Sequence, residues 1–600
     1  MKLIGSYCFS TLLSRLKRSA ALVTYGVPVA LAISLSSSAM ASVTLTASPA
    51  FVTLHTGAST QFQATLAGET GTVYWHVNGI SGGNSTLGTI SSSGLYKAPS
   101  TVPTGSTVTV TAIAAHAAPI NLIVAINTGT SFYVSTTGND SNAGTLAAPW
   151  LTIQHAANMA VAGDTVYVLG GTYHESVSIR NSGSASAGSI VFESYPGQLA
   201  IIDGTGVACC SMQIQGLISM YYQPSYLIIE GFELQNFSTT NSAYEIVGVL
   251  ANGAGSNIQI LYNIVHGISG AESSGGSAVG IANYGPSTTP LSHVTITGNQ
   301  IYGNSEGMAA SLLFSGNVNG FTVANNLIHD NDNIGVDLAG FYQTGPTGYD
   351  EPLNGDIVGN TIYNISTLNN PAYKSYGADG IYCDGCANTV IEQNRVYSCD
   401  QNIEAASENA GKTSSYVTIR NNDVYDANVV GIGIGSYSSG GGSEYITIVN
   451  NTILHNTLLG WGNAFSIAYH ATNNVFENNI VEATVPGVLF NGADDSTSNP
   501  VTSDYNIYYG PVSRPEFLYQ GVDYYDFSTF QAASGQEKHS SFINPDLVSV
   551  IAPLSFNLQY ASPARGTGNY SLGSAVYGTV DIHGNPRTSG TTIDIGAVEQ

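Results

Sequence analysis

The chain has 600 residues, with 68 Gly and 36 Tyr but only 14 Lys plus Arg against 39 Asp plus Glu, a formal net charge of −25. Such a surface repels DNA and anionic membranes, so nucleic acid is excluded as a partner and long anionic polymers are disfavoured unless a cation mediates. It suits a β-rich extracellular protein meeting neutral glycans or Ca²⁺.

In chain order, Lys2, Arg15, Lys17 and Arg18 precede a largely apolar run from Ala20 to Leu35, and Ala39-Met40-Ala41 offers a small-x-small cleavage site. Residues 1–41 therefore read as an export signal, with a retained anchor as the alternative. Its removal leaves 10 basic against 39 acidic residues, a net charge of −29. No other segment is apolar enough to span a membrane, so the mature chain is expected to be secreted or cell-surface, without a transmembrane segment, and monomeric. Export permits disulfides. Of Cys209, Cys210, Cys383, Cys386 and Cys399, the expected bridge is Cys386 with Cys399, and Cys383 is expected as a buried thiol. Zinc at Cys383-x-x-Cys386 lacks a second pair or a nearby His.

Residues 42–128 read as a separate unit of alternating strands (SVTLTASPAFVTLHTGASTQFQATL, then STVTVTAIA) with Trp75 in mid-domain. This segment resembles bacterial immunoglobulin-like domains of the group-2 kind, whose Trp packs between two sheets without a disulfide. The resemblance implies a spacer or a carbohydrate-binding module.

Residues 129–551 open with FYVSTTGNDSNAGTLAAPWLTIQHAANMAVAGDTVYVLGGTYHE. An amphipathic helix is predicted from Thr152 to Ala162, capping an otherwise exposed sheet edge, with His155 as a cap residue. Eight copies of one phrase follow, each placing an asparagine between two β-type runs: Asn263, Asn299, Asn326, Asn360, Asn394, Asn422, Asn451 and Asn479, spaced 36, 27, 34, 34, 28, 29 and 28 residues apart. A fixed phrase with variable filler is a solenoid signature. The asparagine is expected to take the left-handed turn conformation and to hydrogen-bond along its column. Helical repeats are disfavoured, because the apolar spacing is that of strands. The repeat resembles the pectin-lyase-like superfamily, implying an all-β right-handed parallel β-helix preceded by a small Ig-like β-sandwich. Residues 552–600, with Asp581, Asn585, Arg587, Asp594 and Glu599, resemble the choice-of-anchor type C-terminal segment of secreted β-helix proteins. The expected role there is a closing cap with internal ion pairs, with sorting as the alternative.

The repeat also serves as a register. Aligning strands by their first apolar residue puts Met308, Ile334, Ile381, Ile403 and Ile432 in one inward column, so that Asp337, Asp384 and Glu404 share an exposed face. Strand geometry then predicts Asp337 and Asp384 about 5 Å apart and Asp384 to Glu404 about 8 Å. Carboxyls so placed must hold a proton or a cation. A pair at this spacing is what glycoside hydrolysis requires. Gly335, Gly380, Gly433 and Gly435 are expected to keep the face low, and Tyr382 to stack on a sugar.

A second acidic column, Glu306, Asp332 and Asp379, offers candidate Ca²⁺ ligands. The stretch Tyr376 to Lys412, D-G-I-x-x-D-G followed by N-I-E-x-x-S-E, resembles the active coils of some β-helix glycoside hydrolases. That resemblance implies Asp384 and Glu404 as the catalytic pair, acting on a polysaccharide or oligosaccharide. Two other readings stand beside it. One is a Ca²⁺-dependent polysaccharide lyase with Lys412 among the candidate bases; the other is a non-catalytic glycan-binding surface protein.

Overall fold

A strand that is buried against the coils above and below must repeat its apolar residue at the same step of every coil. In the computed structural model, which describes residues 43–600 apart from 272, 274, 457, 460, 461, 483–487, 492–500, 511–515, 551–553 and 589, that repetition is continuous. Ile260, Ile296, Val323, Ile357, Ile391, Ile419, Ile448 and Phe476 pair in register down one sheet, and all are fully buried. Three 13-stranded sheets run the length of the solenoid, parallel except that Val522–Tyr524 ends the third by pairing antiparallel with Glu516–Tyr519. The chain is an all-β parallel β-helix. The predicted export signal, residues 1–41, lies outside the described residues.

The asparagine ladder is what joins the first two sheets. Each Asn accepts at Oδ1 from the backbone N–H and the amide of the Asn one coil earlier, as Asn394 does from Asn360 at 2.9 Å for both. Each also donates to a strand carbonyl, as Asn394 does to Ile357 at 2.9 Å. The ladder includes a ninth member, Asn506. Its asparagines are not left-handed, contrary to expectation. The residue before each one takes that conformation, among them Tyr262, Asn325, Gln393, Asn421 and Asn450. The ladder Asn must aim its amide inward, so the turn falls on its neighbour. Three residues beyond the Asn, His266, Tyr302, His329, Tyr363, Tyr397 and Tyr425 form a stacked column with ring centroids 4.7–5.1 Å apart.

Helix α1 (Ile153–Met159) caps the N-terminal end and is shorter than predicted, stopping where Ala160 turns extended. Asp140 accepts from the backbone of Leu151 and Thr152, and Glu175 from that of Ile153 and Gln154, so both carboxylates serve the helix start. His155 lies edge-on to Trp150 at 5.0 Å, a packing role. Helix α2 (Phe527–Ser534) covers the other end, its buried Phe530 stacked on Phe517 at 4.9 Å.

The final segment is therefore not the end cap. It lies along the flank of the solenoid, where Gly596 N–H donates to the Asn478 carbonyl and Asn450 donates to that of Asp594. Arg587, 1% exposed, donates to the carbonyls of Asp594 and Gly596 instead of forming the expected ion pair. Burial lowers its pKa to about 10, opposed by the charges of Glu599, Asp581 and Asp594.

Residues 44–127 form their own sheets around Phe62, Trp75 and Tyr96, antiparallel except that Phe51–His55 pairs parallel with Ala117–Asn127. The unit is docked on the first solenoid sheet, with Phe51 and Ala125 packed on Val191, Ile228 and Leu261. Cys383 is buried as expected but bonded to Cys386, leaving Cys399 as the buried thiol. The left-handed Gly385 turns Cys386 back into the core, 5.3 Å from Cys383 between Cα atoms, within bridging range. Cys209 and Cys210 are also joined.

Candidate active site

Three consecutive strands of the third sheet carry the acids: β1 (Ile334–Ala339), β2 (Asp379–Asp384) and β3 (Gln401–Ala406). The inward column is Leu312, Val336, Ile381, Ile403 and Ile432. Ile334 instead faces Ala310 and packs outside against an apolar cluster that includes Leu250 and Leu313, while Met308 precedes its strand. The predicted register is thus two residues out at Ile334 and four at Met308. An even slip keeps Asp337 on the expected outer face, although Ile334 itself turns outward. Asp337, Asp384 and Glu404 accordingly share the outer face, but their neighbours change. Asp337 lies opposite Tyr382, which lies opposite Glu404. The backbones of Asp337 and Asp384 are then about 8 Å apart on the diagonal, not 5 Å.

Side chains close the gaps that the backbone leaves. Tyr342 O–H donates to Asp384 and lies 3.4 Å from Glu408 Oε2, and the backbone N–H of Glu408 donates to Asp384 Oδ1 at 3.0 Å. One hydroxyl within reach of both carboxyls puts them no more than about 6 Å apart. The Tyr342 loop is pinned by Asp350, which accepts from the N–H groups of Gln343 at 2.5 Å and Gly345 at 2.7 Å. A second pair forms alongside. Gln401 Nε2 donates to Asp379 at 3.2 Å and to Glu404 at 3.0 Å, and the two carboxyls also share a hydrogen bond. Asp337 is 9% exposed, and its Oδ1 meets no donor among the described residues.

Burial is the leading cause of every shift here, with neighbouring carboxylates second. Asp337 is pushed up to about 8 by burial and then by Glu408; Glu404 rises to about 7 for the same two reasons. Asp379 and Asp384 are held well above the usual carboxylate range, Asp384 by burial, Glu408 and Asp337. Glu408 is raised by burial, with the Tyr342 hydrogen bond acting against it. Groups so placed share protons at neutral pH and titrate as a set. That arrangement supplies a proton donor and a carboxylate side by side.

The other expected residues are placed as follows. Tyr382 is 6% exposed, so its ring is packed between Asp337 and Glu404 instead of being presented to a sugar. Lys412 is exposed and stacks on Phe341 at 4.9 Å; its charge counters the burial that raises Glu351 to about 7. Glu306 is fully buried, and its N–H donates to Asp332 at 2.7 Å, whereas Asp379 belongs to the Glu404 pair. Among the described residues no group of three or more His, Cys, Asp or Glu side chains is arranged to hold a metal ion. Of the glycines, Gly433 lies against Glu404, where an added Cβ would sit in ordinary contact 3.6 Å from Glu404 Cγ. Gly335 and Gly380 are interior, where a Cβ would strike Ile362 and Val396.

Two members of the site were not predicted, Glu408 and Tyr342. Glu408 closes the N-I-E-x-x-S-E phrase but lies past the end of β3, where strand register no longer applies. Tyr342 lies in the insertion between β1 and β2, and no local signal marks it. A groove of about 520 Å³ between Arg180 and Tyr222 lies on the first coils, and none of these carboxylates lines it.

The family model described as "Pel9A-like, right handed beta helix region" matches residues 132–333, and that described as "Right handed beta helix region" matches 353–510. The carboxylates from Asp379 to Glu408 fall in the second match, outside the first. The uncharacterized protein YwoF of Bacillus subtilis is 33% identical over 441 residues, 73% of this chain and 92% of YwoF. Pectate lyase PEL9 of Emericella nidulans is 47% identical over 74 residues, 12% of this chain and 18% of that enzyme. The crystal structure of pectate lyase Pel9A is 14% identical, covering 79% of this chain and 97% of that one, with a TM-score of 0.43. With the solenoid topology, the chain belongs to the family of right-handed parallel β-helix proteins that includes YwoF.

Proposed function

We propose that this protein is an exported carbohydrate-active enzyme that hydrolyses glycosidic bonds of a polysaccharide or oligosaccharide. The observation that carries the reading is the joined pair Asp384 and Glu408, bridged by Tyr342, beside a second joined pair, Asp379 and Glu404. Glycoside cleavage needs one carboxyl protonated, to give its proton to the leaving oxygen, and one ionised, to stabilise or attack the anomeric carbon. Crowded acids that share protons meet both needs at one pH. Glu404 and Glu408, the more exposed members, are the ones a sugar meets first. The Asp384–Glu408 separation of at most about 6 Å suits the closer spacing of retaining enzymes. Asp337 sets the charge of the floor beneath them.

A second reading, a Ca²⁺-dependent polysaccharide lyase, is favoured by the Pel9A-like match over residues 132–333 and by the likeness to PEL9. There Lys412 would take the proton next to a uronate carboxylate, but the expected Ca²⁺ ligands Glu306, Asp332 and Asp379 are not grouped to hold a metal ion. Product analysis over a glycan panel separates the two. New reducing ends without an ultraviolet-absorbing unsaturated product mark hydrolysis, and an unsaturated product abolished by chelator marks the lyase. Asp384→Asn and Glu408→Gln should each lower hydrolysis by about 100-fold or more. Full activity in both variants would remove the proposed pair, and the absence of any cleavage would leave a glycan-binding protein.

A further inference from the structure

Asp337, Asp379, Asp384, Glu404 and Glu408 form one acidic floor on the outer face of the third sheet, and none of them makes an ion pair with Lys, Arg or His among the described residues. Lys412 is engaged elsewhere, over Phe341. Within the floor Asp337 stands apart. It is more than nine-tenths buried, its Oδ1 has no donor, and its charge acts on Asp379, Asp384 and Tyr342. A buried acceptor left unmatched costs free energy until a donor arrives. No side chain among the described residues supplies that donor.

We propose that this floor receives a cationic hydrogen-bond donor carried by the substrate, so that the ligand is a glycan with amine-bearing hexosamine units. The inference rests on the reading of the site as carbohydrate-active and adds the substrate class. A sugar ammonium offers three donors and one positive charge. It satisfies Asp337 Oδ1 and takes over the neutralising role that bound protons play in the free protein. A neutral sugar hydroxyl supplies the hydrogen bond but not the charge. A uronate adds a further carboxylate to a floor that already holds protons to limit its charge, and is rejected. The groups facing Asp337 are Glu408, Asp379, Asp384, Tyr284, Tyr342 and Tyr373. Of these the carboxyls hold protons near neutrality, so amine binding drives protons off the protein.

The test is calorimetric, on the full mature chain carrying Asp384→Asn to stop turnover and freed of divalent ions by chelator. The probes are triglucosamine, tri-N-acetylglucosamine, cellotriose and trigalacturonate, each at pH 6 in two buffers of different ionisation enthalpy. Triglucosamine is expected to bind at least about tenfold tighter than cellotriose, with trigalacturonate weakest. Its enthalpy is expected to depend on the buffer in the sense of proton release. Adding Asp337→Asn should remove most of that preference. The proposal fails if the four bind alike, if none binds, if trigalacturonate binds best, or if binding requires added Ca²⁺. The ranking decides it even if the Asp337 variant does not fold. Hydrolysis of the same sugars by the unmodified chain is read separately. Amine-selective binding without cleavage sinks the hydrolase reading alone, and cleavage without amine preference sinks the substrate class alone.

Discussion

Replacing Asn394 by Ala, in the middle of the ladder, tests what holds the coils in register. Its Oδ1 accepts from the backbone N–H and the side-chain amide of Asn360, and its Nδ2 donates to Ile357 and to Asn422. Asn360 Nδ2 keeps its bond to Val323, and Asn422 Oδ1 keeps its bond from the Asn394 backbone. The Asn360 backbone N–H loses its side-chain acceptor in a fully buried site. An orphaned buried donor costs about 1–3 kcal/mol, and the weakened bonds around it about 1 kcal/mol each, for a total of roughly 3–5 kcal/mol. A solenoid of roughly 400 residues has an unfolding entropy on the order of 0.9 kcal/mol per degree, so the melting temperature should fall by roughly 4 °C. Far-ultraviolet circular dichroism follows the loss, and hydrogen exchange should localise it to the coils of Asn360 and Asn422. Asn394→Asp should be worse at pH 7 than at pH 4, because the carboxylate keeps the acceptor but loses both donors. A melting temperature within one degree of the parent, in either variant at pH 7, would refute the ladder as a source of stability.

Stability should also depend on pH through the acid floor. The pKa of Asp337 is raised from 3.8 to about 8 on folding, so the folded state binds the extra proton. Its contribution is fully present below about pH 4 and is lost as pH rises to 8, on the order of 6 kcal/mol for a group this buried. Chemical denaturation across that window should show falling stability, and Asp337→Asn should flatten the fall; an unchanged slope would contradict the burial argument. Phe530→Ala at the C-terminal cap removes a fully buried ring stacked on Phe517. It should cost about 3–5 kcal/mol and promote self-association by uncovering a sheet end, measurable by sedimentation; a monomer of unchanged stability would show that α2 is dispensable.

The solenoid was legible because its cause is local and repeated. Each coil must present the same inward residue and the same amide, so Asn263 to Asn479 mark the turns without any knowledge of the fold. The outward face of Asp337, Asp384 and Glu404 was legible too, since facing depends only on alternation along a strand. Exact neighbours were not. Ile334 reads as an inward residue, but it packs outside against Leu250 and Leu313, and this moved Asp337 from beside Asp384 to beside Tyr382.

The sequence by itself determined the β-helix, its asparagine column, a capping helix between Thr152 and Ala162 and the shared face of three acids. Only the tertiary structure decided the site's membership. Tyr342 and Glu408 reach Asp384 from an insertion and a turn, where no periodicity constrains the chain. The bridge of Cys383 to Cys386, the docking of residues 44–127 and the flanking position of the last segment were likewise decided by packing between distant stretches. Periodic constraint is written into each repeat, whereas contacts between insertions depend on how the coils beneath them bring those loops together.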